Sequence, residues 1–485
     1  MVKYKLKHVT CLYCSMGCRV AFREVGDNIT AIDYDDYDPV NRGSLCPRGH
    51  YNIELINHPG RLTDAWLGKK RTSITDAIKY IDIKLKKADK ASIGIMVSCG
   101  SCNEDAYMAS QFAKSLGTVN ISPSGEASDI DAASVYSWSN QVPRMADLRK
   151  IGEFENLIIV GDILTRSPVL SKRINEVKYG KRGNRITVID PNVTHTTWFA
   201  TTHLRNRPGT EALLLAGIYK IIAGDARPEL RDLDMKTVEE GTGIKASVIE
   251  SIAKGFDGIE KGCIIFVPGP HKQRNDLIQY FIDAITVVSL GKKHITFFSF
   301  ANTLGVSKMI DSEVPSHIGY GDMISRVKEG KIGNLLIFGD ESYSPPAGLD
   351  LVVRTGFFKD GTEDPDTVLL PLASHIERKG TMSLAGSRYV SIIPIIHNVG
   401  SRSNWKLISN LMGVTKGFDK ILDETTNIMV KETAGRDIDP RAKINEVKSV
   451  SPSGSVPLDN VTHFGDNRHV SNFFWWRANN AGSVK

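Results

Sequence analysis

Asn156-Leu157-Ile158-Ile159-Val160-Gly161 and Arg185-Ile186-Thr187-Val188-Ile189-Asp190 are the two stretches whose reading decides the fold. Each is a short aliphatic, largely β-branched run, the pattern of a strand buried on both faces. A helical stretch near 168–180 lies between them, so together they make a strand–helix–strand unit of a parallel sheet. The same grammar recurs outward from this pair. Strands are expected at 92–97, 263–267 and 334–339, and helices at 75–88 and 104–116, the latter ended by Gly117. Three of the runs lead into glycine: Gly161, Gly269 (after Val267-Pro268) and Gly339. Carboxyl ends of parallel strands border the ligand crevice of such sheets, and glycine there lets a phosphate or ring approach the backbone. The expected fold class is α/β, with a doubly wound, Rossmann-like body.

Ahead of this body stands a small polar unit, residues 1–60. Cys11, Cys14, Cys18 and Cys46 fall in it with the spacing C-x2-C-x3-C-x27-C. A hairpin of 19–22 and 29–33, turning at Gly26-Asp27-Asn28, is expected to carry the first three cysteines on its leading edge. Closely spaced thiolates on one loop, joined by a distant fourth, make a site for a soft metal centre. The choices are zinc and an iron–sulfur cluster. A zinc ribbon usually repeats its CxxC pair, whereas here the second half offers Cys46 alone, followed by Pro47 and Arg48. The spacing therefore favours a [4Fe–4S] cluster and makes electron transfer the leading theme. A unit this small has little core of its own, so a bound centre is expected to help hold it together.

The bulk composition narrows the alternatives. The chain has 485 residues, 41% hydrophobic and 24% charged, with a net charge of +6. Basic and acidic residues are interleaved, which argues against a nucleic-acid arm or a membrane-binding face. No apolar run reaches the ~18 residues needed to span a bilayer. The N-terminus has no apolar signal region and no twin-arginine leader, and Cys99, Cys102 and Cys263 form no disulfide framework, so a cytoplasmic location is expected. Cys99-Gly100-Ser101-Cys102 reads either as a redox dithiol or as two unrelated thiols, and Cys263 as core.

A cluster-binding unit feeding a doubly wound body resembles the molybdopterin oxidoreductase family, which includes formate dehydrogenases, formylmethanofuran dehydrogenase, nitrate reductases and the large iron–sulfur subunit of NADH dehydrogenase. The four cysteines match its cluster motif, and residues 42–49, Arg42 to Gly49, its closing segment. Asn103-Glu104-Asp105-Ala106-Tyr107 resembles an NEE-x-Y stretch of formate dehydrogenases. Val188-Ile189-Asp190-Pro191, followed by Arg207-Pro208-Gly209-Thr210-Glu211, resembles the guanine-dinucleotide segment. Leu369-Leu370-Pro371 through Gly380-Thr381 resembles the family's return strand. These segments cover residues 10–390 in the expected order.

The resemblance implies a [4Fe–4S] cluster on Cys11, Cys14, Cys18 and Cys46, with Arg48 between the cluster and the nearer pterin. It also implies a molybdopterin guanine dinucleotide, carrying Mo or W, near Gly161, Asp190, Pro208, Gly209, Thr210, Glu211, Gly269 and Gly339. Asp190 would accept bonds from a guanine or ribose, and the Pro208-Gly209-Thr210 turn would present N–H groups to a diphosphate. An ordinary strand end and turn is the plain alternative. Three departures stand out. The cysteine that ligates Mo or W in active relatives would fall near Ser128-Asp129, but no cysteine lies between Cys102 and Cys263 and no histidine between His58 and His195. Ser128, Asp129 and Asp131 are the oxygen donors at that place. A G-x-N-P segment is replaced by Gly339-Asp340-Glu341-Ser342-Tyr343, whose carboxylates repel a diphosphate, and a TNTEGR segment by Ser383-Leu384-Ala385-Gly386-Ser387-Arg388. The family's C-terminal barrel has no clear counterpart. His271 and His375 fall in loops that approach the pterin cleft in relatives.

The expected organisation is a cluster domain at 1–60, one α/β domain from 61–145 with 355–400, a dinucleotide-binding α/β domain at 146–354, and a C-terminal tail at 401–485. That tail, with its Phe473-Phe474-Trp475-Trp476 cluster, is expected to dock a partner. The function expected is an iron–sulfur electron-transfer subunit of a multi-subunit oxidoreductase. Its partners would be iron–sulfur or flavin subunits, with a separate barrel subunit and no nucleic acid. A catalytic Mo or W bis-pterin formate or formyl-group dehydrogenase subunit is one alternative, and a zinc-bound or metal-free scaffold is another.

Overall fold

The computed structural model describes residues 3–26, 28–139, 144–224, 227, 230–269, 272, 274–340, 343–359, 364–386, 388–396, 400–430 and 440–449. His271, Glu341, Ser342, Ser387 and the aromatic stretch 473–476 lie outside them.

Two parallel sheets form the body. The five-stranded sheet runs in the order Thr202–Leu204, Arg185–Ile189, Asn156–Val160, Gly262–Phe266, Lys293–Thr296, every neighbour parallel. Strand order reverses between Asn156–Val160 and Gly262–Phe266, which is the switch point where a crevice opens in such sheets. Alternate residues of Asn156–Val160 serve opposite faces. Ile158 and Val160 pack under helices Glu211–Ala223 and Asn275–Val288, while Leu157 and Ile159 pack beneath helix Ser171–Gly180 and the N-terminal unit. Both faces are covered, which is why the run is apolar throughout.

The second sheet has seven strands, in the order Lys70–Thr72, Ala65–Leu67, Thr367–Pro371, Leu351–Gly356, Asn334–Phe338, Ile93–Ser98, Ile121–Ser124. Only Ala65–Leu67 runs against the others, antiparallel to both Thr367–Pro371 and the edge strand Lys70–Thr72. Its switch point lies between Ile93–Ser98 and Asn334–Phe338. The α/β doubly wound class read from the sequence is therefore the class of the molecule. The sequence places 334–354 with the five-stranded sheet, but Asn334–Phe338 and Leu351–Gly356 hydrogen-bond in the seven-stranded one. Sheet membership is set by long-range pairing, and nothing within these runs encodes it.

Residues 5–33 form three antiparallel strands, Lys5–Thr10, Arg19–Val25 and Asn28–Asp33, rather than a two-stranded hairpin. Their core is not separate. Val9, Met16, Val20, Phe22, Ile29 and Leu55 merge with Leu157, Ile159, Val188, Ile265 and Ile295 of the five-stranded sheet.

Beyond residue 401, expected to be a tail, the described residues form three helices that pack on the body, Asn404–Leu411, Phe418–Val430 and Pro440–Lys448. Leu407, Ile408, Leu411 and Ile421, from helices Asn404–Leu411 and Phe418–Val430, enter the core beside the seven-stranded sheet. Ile444 and Val447, from helix Pro440–Lys448, join the core beneath Leu213 and Leu214. Among the described residues, no helix is long and apolar enough to cross a membrane.

Candidate functional site

The loop from Cys11 to Cys18 joins the first two N-terminal strands and is closed by Cys11 N–H donating to the Cys18 carbonyl at 2.7 Å. Cys46 approaches from the other side as the residue that starts the short helix Pro47–His50. Cys11, Cys14 and Cys18 are buried and Cys46 is half-buried. Burial pushes the Cys11 thiol up to about 12, with Cys46 and Cys14 adding to the rise. Cys18 is raised by burial and then by the other three. The four sulfurs are thus within one another's electrostatic reach, and Cys11 and Cys18 resist ionisation until a cationic centre compensates. Asn52 points its Nδ2 at Cys11 Sγ, 3.6 Å away. The nearest histidines are engaged elsewhere: His8 Nδ1 lies 3.2 Å from Asp35, and His50 packs edge-on against Tyr34. Among the described residues, no three His, Cys, Asp or Glu side chains close on the volume of a single metal ion. The donor set is all sulfur, which suits an iron–sulfur cluster.

Three sets of contacts tie this cradle to the rest of the chain. Ser15 Oγ accepts from Phe298 N–H at 2.8 Å, and Ser15 N–H donates to the Phe298 carbonyl at 3.2 Å. Arg388 donates to the Met16 and Gly17 carbonyls at 2.8 and 3.0 Å. Arg48 is buried near Cys14, Cys46 and Cys11 and donates to the Arg166 carbonyl. Arg166 in turn donates to Ser299 Oγ. A buried line of polar groups therefore runs from the thiols to the five-stranded sheet's carboxyl edge.

At that edge, Gly161 has φ +100°, and a Cβ there would lie 2.9 Å from the Val267 carbonyl and 3.0 Å from Lys272 Nζ, so only glycine fits. Lys272, Asp190 and Glu211 are all buried here. Burial lowers the Lys272 pKa against the pull of Asp190 and Glu211; burial raises both carboxyls against the pull of Lys272. Burial outweighs pairing for all three groups. Asp190 Oδ1 accepts from Asn192 N–H at 2.9 Å, but its Oδ2, both oxygens of Glu211 and Asn206 Oδ1 have no hydrogen-bond partner among the described residues. Buried acceptors left open are unusual, and they suit a ligand that donates hydrogen bonds, as a guanine edge does. Gly269 is held by Asn275, which accepts from its N–H at 3.2 Å. The Pro208-Gly209-Thr210 turn differs from expectation. Thr210 N–H donates back to the Arg207 carbonyl at 3.2 Å, so the turn itself uses it rather than presenting it outward.

Gly339 lies apart from these residues, at the switch point of the seven-stranded sheet. Its φ is +105°, and a Cβ would meet Ser98 Cβ at 2.5 Å and Ser101 Oγ at 2.7 Å. A cavity here is lined by Tyr13 of the cysteine loop, Ser98, Ser101, Asp340, His375 and Arg378. The candidate set thus divides between two crevices, one per sheet. The Asn103–Tyr107 stretch braces the second. Glu104 accepts from Thr381 N–H at 2.8 Å, and Asp105 accepts from Trp405 N–H at 2.7 Å and faces Arg378 at 3.5 Å. Cys99 and Cys102 do not form a pair. Cys99 packs with Ile130 and Phe300, Cys102 with Ala301, Met382 and Leu384, so both are core. Cys263 is buried in its strand.

Ser128 and Asp129 begin helix Ala127–Trp138, between the two sheets. Ser128 Oγ donates to Glu126 at 3.3 Å; Asp129 Oδ2 accepts from Ser299 N–H at 2.5 Å. Asp131 accepts from Asp276 N–H at 3.2 Å. Burial, opposed by Arg166 and reinforced by Glu126, raises the Asp129 carboxyl to about 7. A raised carboxyl pKa means that the folded state holds a proton the unfolded chain has lost, so stability falls as pH rises from about 4 to about 7. Asp129→Asn is expected to flatten that fall, by at most ~1.4 kcal/mol per pH unit, in denaturation midpoints measured across this range. An unaltered slope would refute the assignment.

Arg166, Lys272, Asn206 and Arg378 escape sequence reading, because each is a single polar residue whose partners are remote; Arg388 is read only as the end of the Ser383–Arg388 segment. Lys272 leaves one trace, as a cation in the loop after the Pro268-Gly269 strand end.

Two family models match the chain. The molybdopterin oxidoreductase Fe4S4 domain matches residues 4–58, and molybdopterin oxidoreductase matches residues 71–414. Among curated proteins, the F420-dependent formate dehydrogenase 2 subunit alpha of Methanococcus maripaludis is 25% identical over 296 residues, covering 56% of this chain and 43% of that protein. The nitrate-inducible formate dehydrogenase major subunit of Escherichia coli is 27% identical over 250 residues, covering 44% and 24%. The matched stretches therefore span less than half the length of these relatives. Acetylene hydratase from Pelobacter acetylenicus shares the fold, with TM-score 0.60, 15% identity, and coverage of 84% of this chain and 69% of that one.

Proposed function

Because the chain belongs to the molybdopterin oxidoreductase family, we propose that it is the iron–sulfur electron-transfer subunit of a multi-subunit oxidoreductase resembling formate dehydrogenase. The two matched domains are those of a [4Fe–4S] cluster, which supplies one-electron transfer when bound, and of a molybdopterin, which in this reading would be held without a catalytic Mo or W. In this reading Cys11, Cys14, Cys18 and Cys46 hold the cluster. Arg48 keeps a positive charge on its inner side and Tyr13 separates it from the cavity by Gly339. Asp190, Glu211 and Asn206 supply the acceptors, and Lys272 the cation, for a guanine dinucleotide near Gly161 and Gly269.

The observation that carries the reading is the state of Asp129. Where a metal-ligating cysteine is expected, its carboxylate is engaged by Ser299 N–H and faced by Arg166. A catalytic Mo or W reading has one feature in its favour, since Asp129 Oδ1 has no hydrogen-bond partner among the described residues. Partner subunits carrying iron–sulfur or flavin centres would dock near residues 3–58, and the complex would be cytoplasmic. Elemental analysis of the purified complex separates the readings. Iron and acid-labile sulfide without stoichiometric Mo or W support the relay; Mo or W at about one per chain would overturn it for the catalytic reading.

A further inference from the structure

Arg48 is not the only cation at the cysteine cradle. Arg388 opens the strand Arg388–Ile392, which pairs with Gly380–Leu384 to form a hairpin over the cysteine loop. Its guanidinium donates to the carbonyls of Met16 and Gly17, the backbone between Cys14 and Cys18. Leu384, itself buried, packs on the same loop at Gly17. The remaining charges near Arg388 are Cys18, Asp38, Arg149 and Asp147. Arg149 and Asp147 pair with each other at 2.7 Å and offset one another. Asp38 is buried and accepts from the N–H groups of Val40 and Asn41 at 3.0 and 2.9 Å. That leaves Arg388 and Asp38 as opposed charges beside the Cys18 end of the cradle.

We propose that Arg388, opposed by Asp38, sets the reduction potential of the centre that the four cysteines hold. Reduction adds one electron to the centre and leaves its ligands in place, so a fixed positive charge favours the reduced form and a fixed negative charge the oxidised form. Asp38 is buried and Arg388 half-buried, so this influence is screened less than at an open surface. The two carbonyl bonds hold the guanidinium on the loop, so its charge cannot move away when the centre changes state. The assignment rests on the [4Fe–4S] reading of Cys11, Cys14, Cys18 and Cys46.

The test is a potentiometric titration followed by low-temperature EPR on the full chain, with iron and acid-labile sulfide measured on each sample. Arg388→Gln keeps a hydrogen-bond donor and removes the charge. It should lower the midpoint enough to cut the reduced-to-oxidised ratio at fixed potential about tenfold, equal to about 59 mV for one electron. Arg388→Lys should stay near the parent value, and Asp38→Asn should move the midpoint upward. A bracing role alone would lower cluster content in all three without an ordered shift of sign. Full cluster content with an unmoved midpoint in Arg388→Gln overturns the proposal. Should Arg388→Gln fail to assemble a cluster, Asp38→Asn decides, an upward shift supporting the proposal and none overturning it. A parent chain with zinc and no sulfide would instead bring down the cluster reading, and this proposal with it.

Discussion

Cys46→Ala should strip iron and sulfide from the chain and abolish the EPR signal of the reduced protein, while leaving the α/β body folded. The first half follows from the donor set. Three cysteines lie on one tight loop, but the fourth comes from the helix start at Pro47–His50, and it alone ties residues 46–57 to that loop through the centre. A cluster built for four thiolates loses a corner that no neighbouring side chain can fill, since His50 packs edge-on against Tyr34 and Asn52 already faces Cys11. The second half follows from where the core lies. Phe22, Val20 and Leu55 pack into the same core as Leu157 and Ile159, so the N-terminal unit keeps its apolar anchorage without the centre. Limited proteolysis should therefore cut within residues 33–50 of the variant and spare the body. An unchanged spectrum would refute Cys46 as a ligand.

Lys272→Met should destabilise the ligand-free chain by roughly 3–5 kcal/mol, the usual cost of removing one partner from a buried charge group. Asp190 and Glu211 face Lys272, and burial already raises both carboxyls. Without the cation, only the Asn192 N–H and His203 at Asp190, and Asn206 and the local backbone at Glu211, still oppose that rise. The variant should recover part of its stability below the pH at which these carboxyls protonate, because a raised folded-state pKa makes stability fall as pH rises through it. Combining Lys272→Met with Asp190→Asn and Glu211→Gln should restore much of the loss, since neutral amides bury at lower cost. Urea denaturation of the single and triple variants measures both effects. A single variant as stable as the parent at pH 8 would show that the three groups do not act as a unit.

What the sequence reveals here follows how local each feature is. Asn156–Val160 and Arg185–Ile189 are legible because a strand covered on both faces must be apolar at every position. The cysteine set is legible because loop spacing alone brings three thiols together. Lys5–Thr10 is not, since it is an edge strand in which only Val9 is buried. Helices 404–448 escape because each buries only a few apolar residues on a polar background, Leu407, Ile408 and Leu411 in the first and Ile421 in the second. The division of Gly161 and Gly339 between two sheets is invisible for another reason. Both end similar strands, and only hydrogen bonding across residues far apart in sequence decides which sheet each belongs to. The same holds for Lys272, Asp190 and Glu211, and for Arg388 over Met16 and Gly17.

The departures from the family pattern also read differently once packed. Glu104 and Asp105 resemble a stretch found in formate dehydrogenases, yet here they brace Thr381 and Trp405. Asp129 stands where a cysteine is expected, and one of its oxygens is engaged by Ser299 N–H. In the proposed reading, the cradle of Cys11, Cys14, Cys18 and Cys46, flanked by Arg48 and Arg388, is where redox equipment is concentrated in this chain.

The most direct test of that claim is spin-counted, low-temperature EPR during a reductive titration of the full chain, with metals and sulfide measured on the same sample. The account predicts one reducible cluster per chain, with about four irons and matching sulfide. A silent spectrum from a chain holding about one zinc and no sulfide would contradict it.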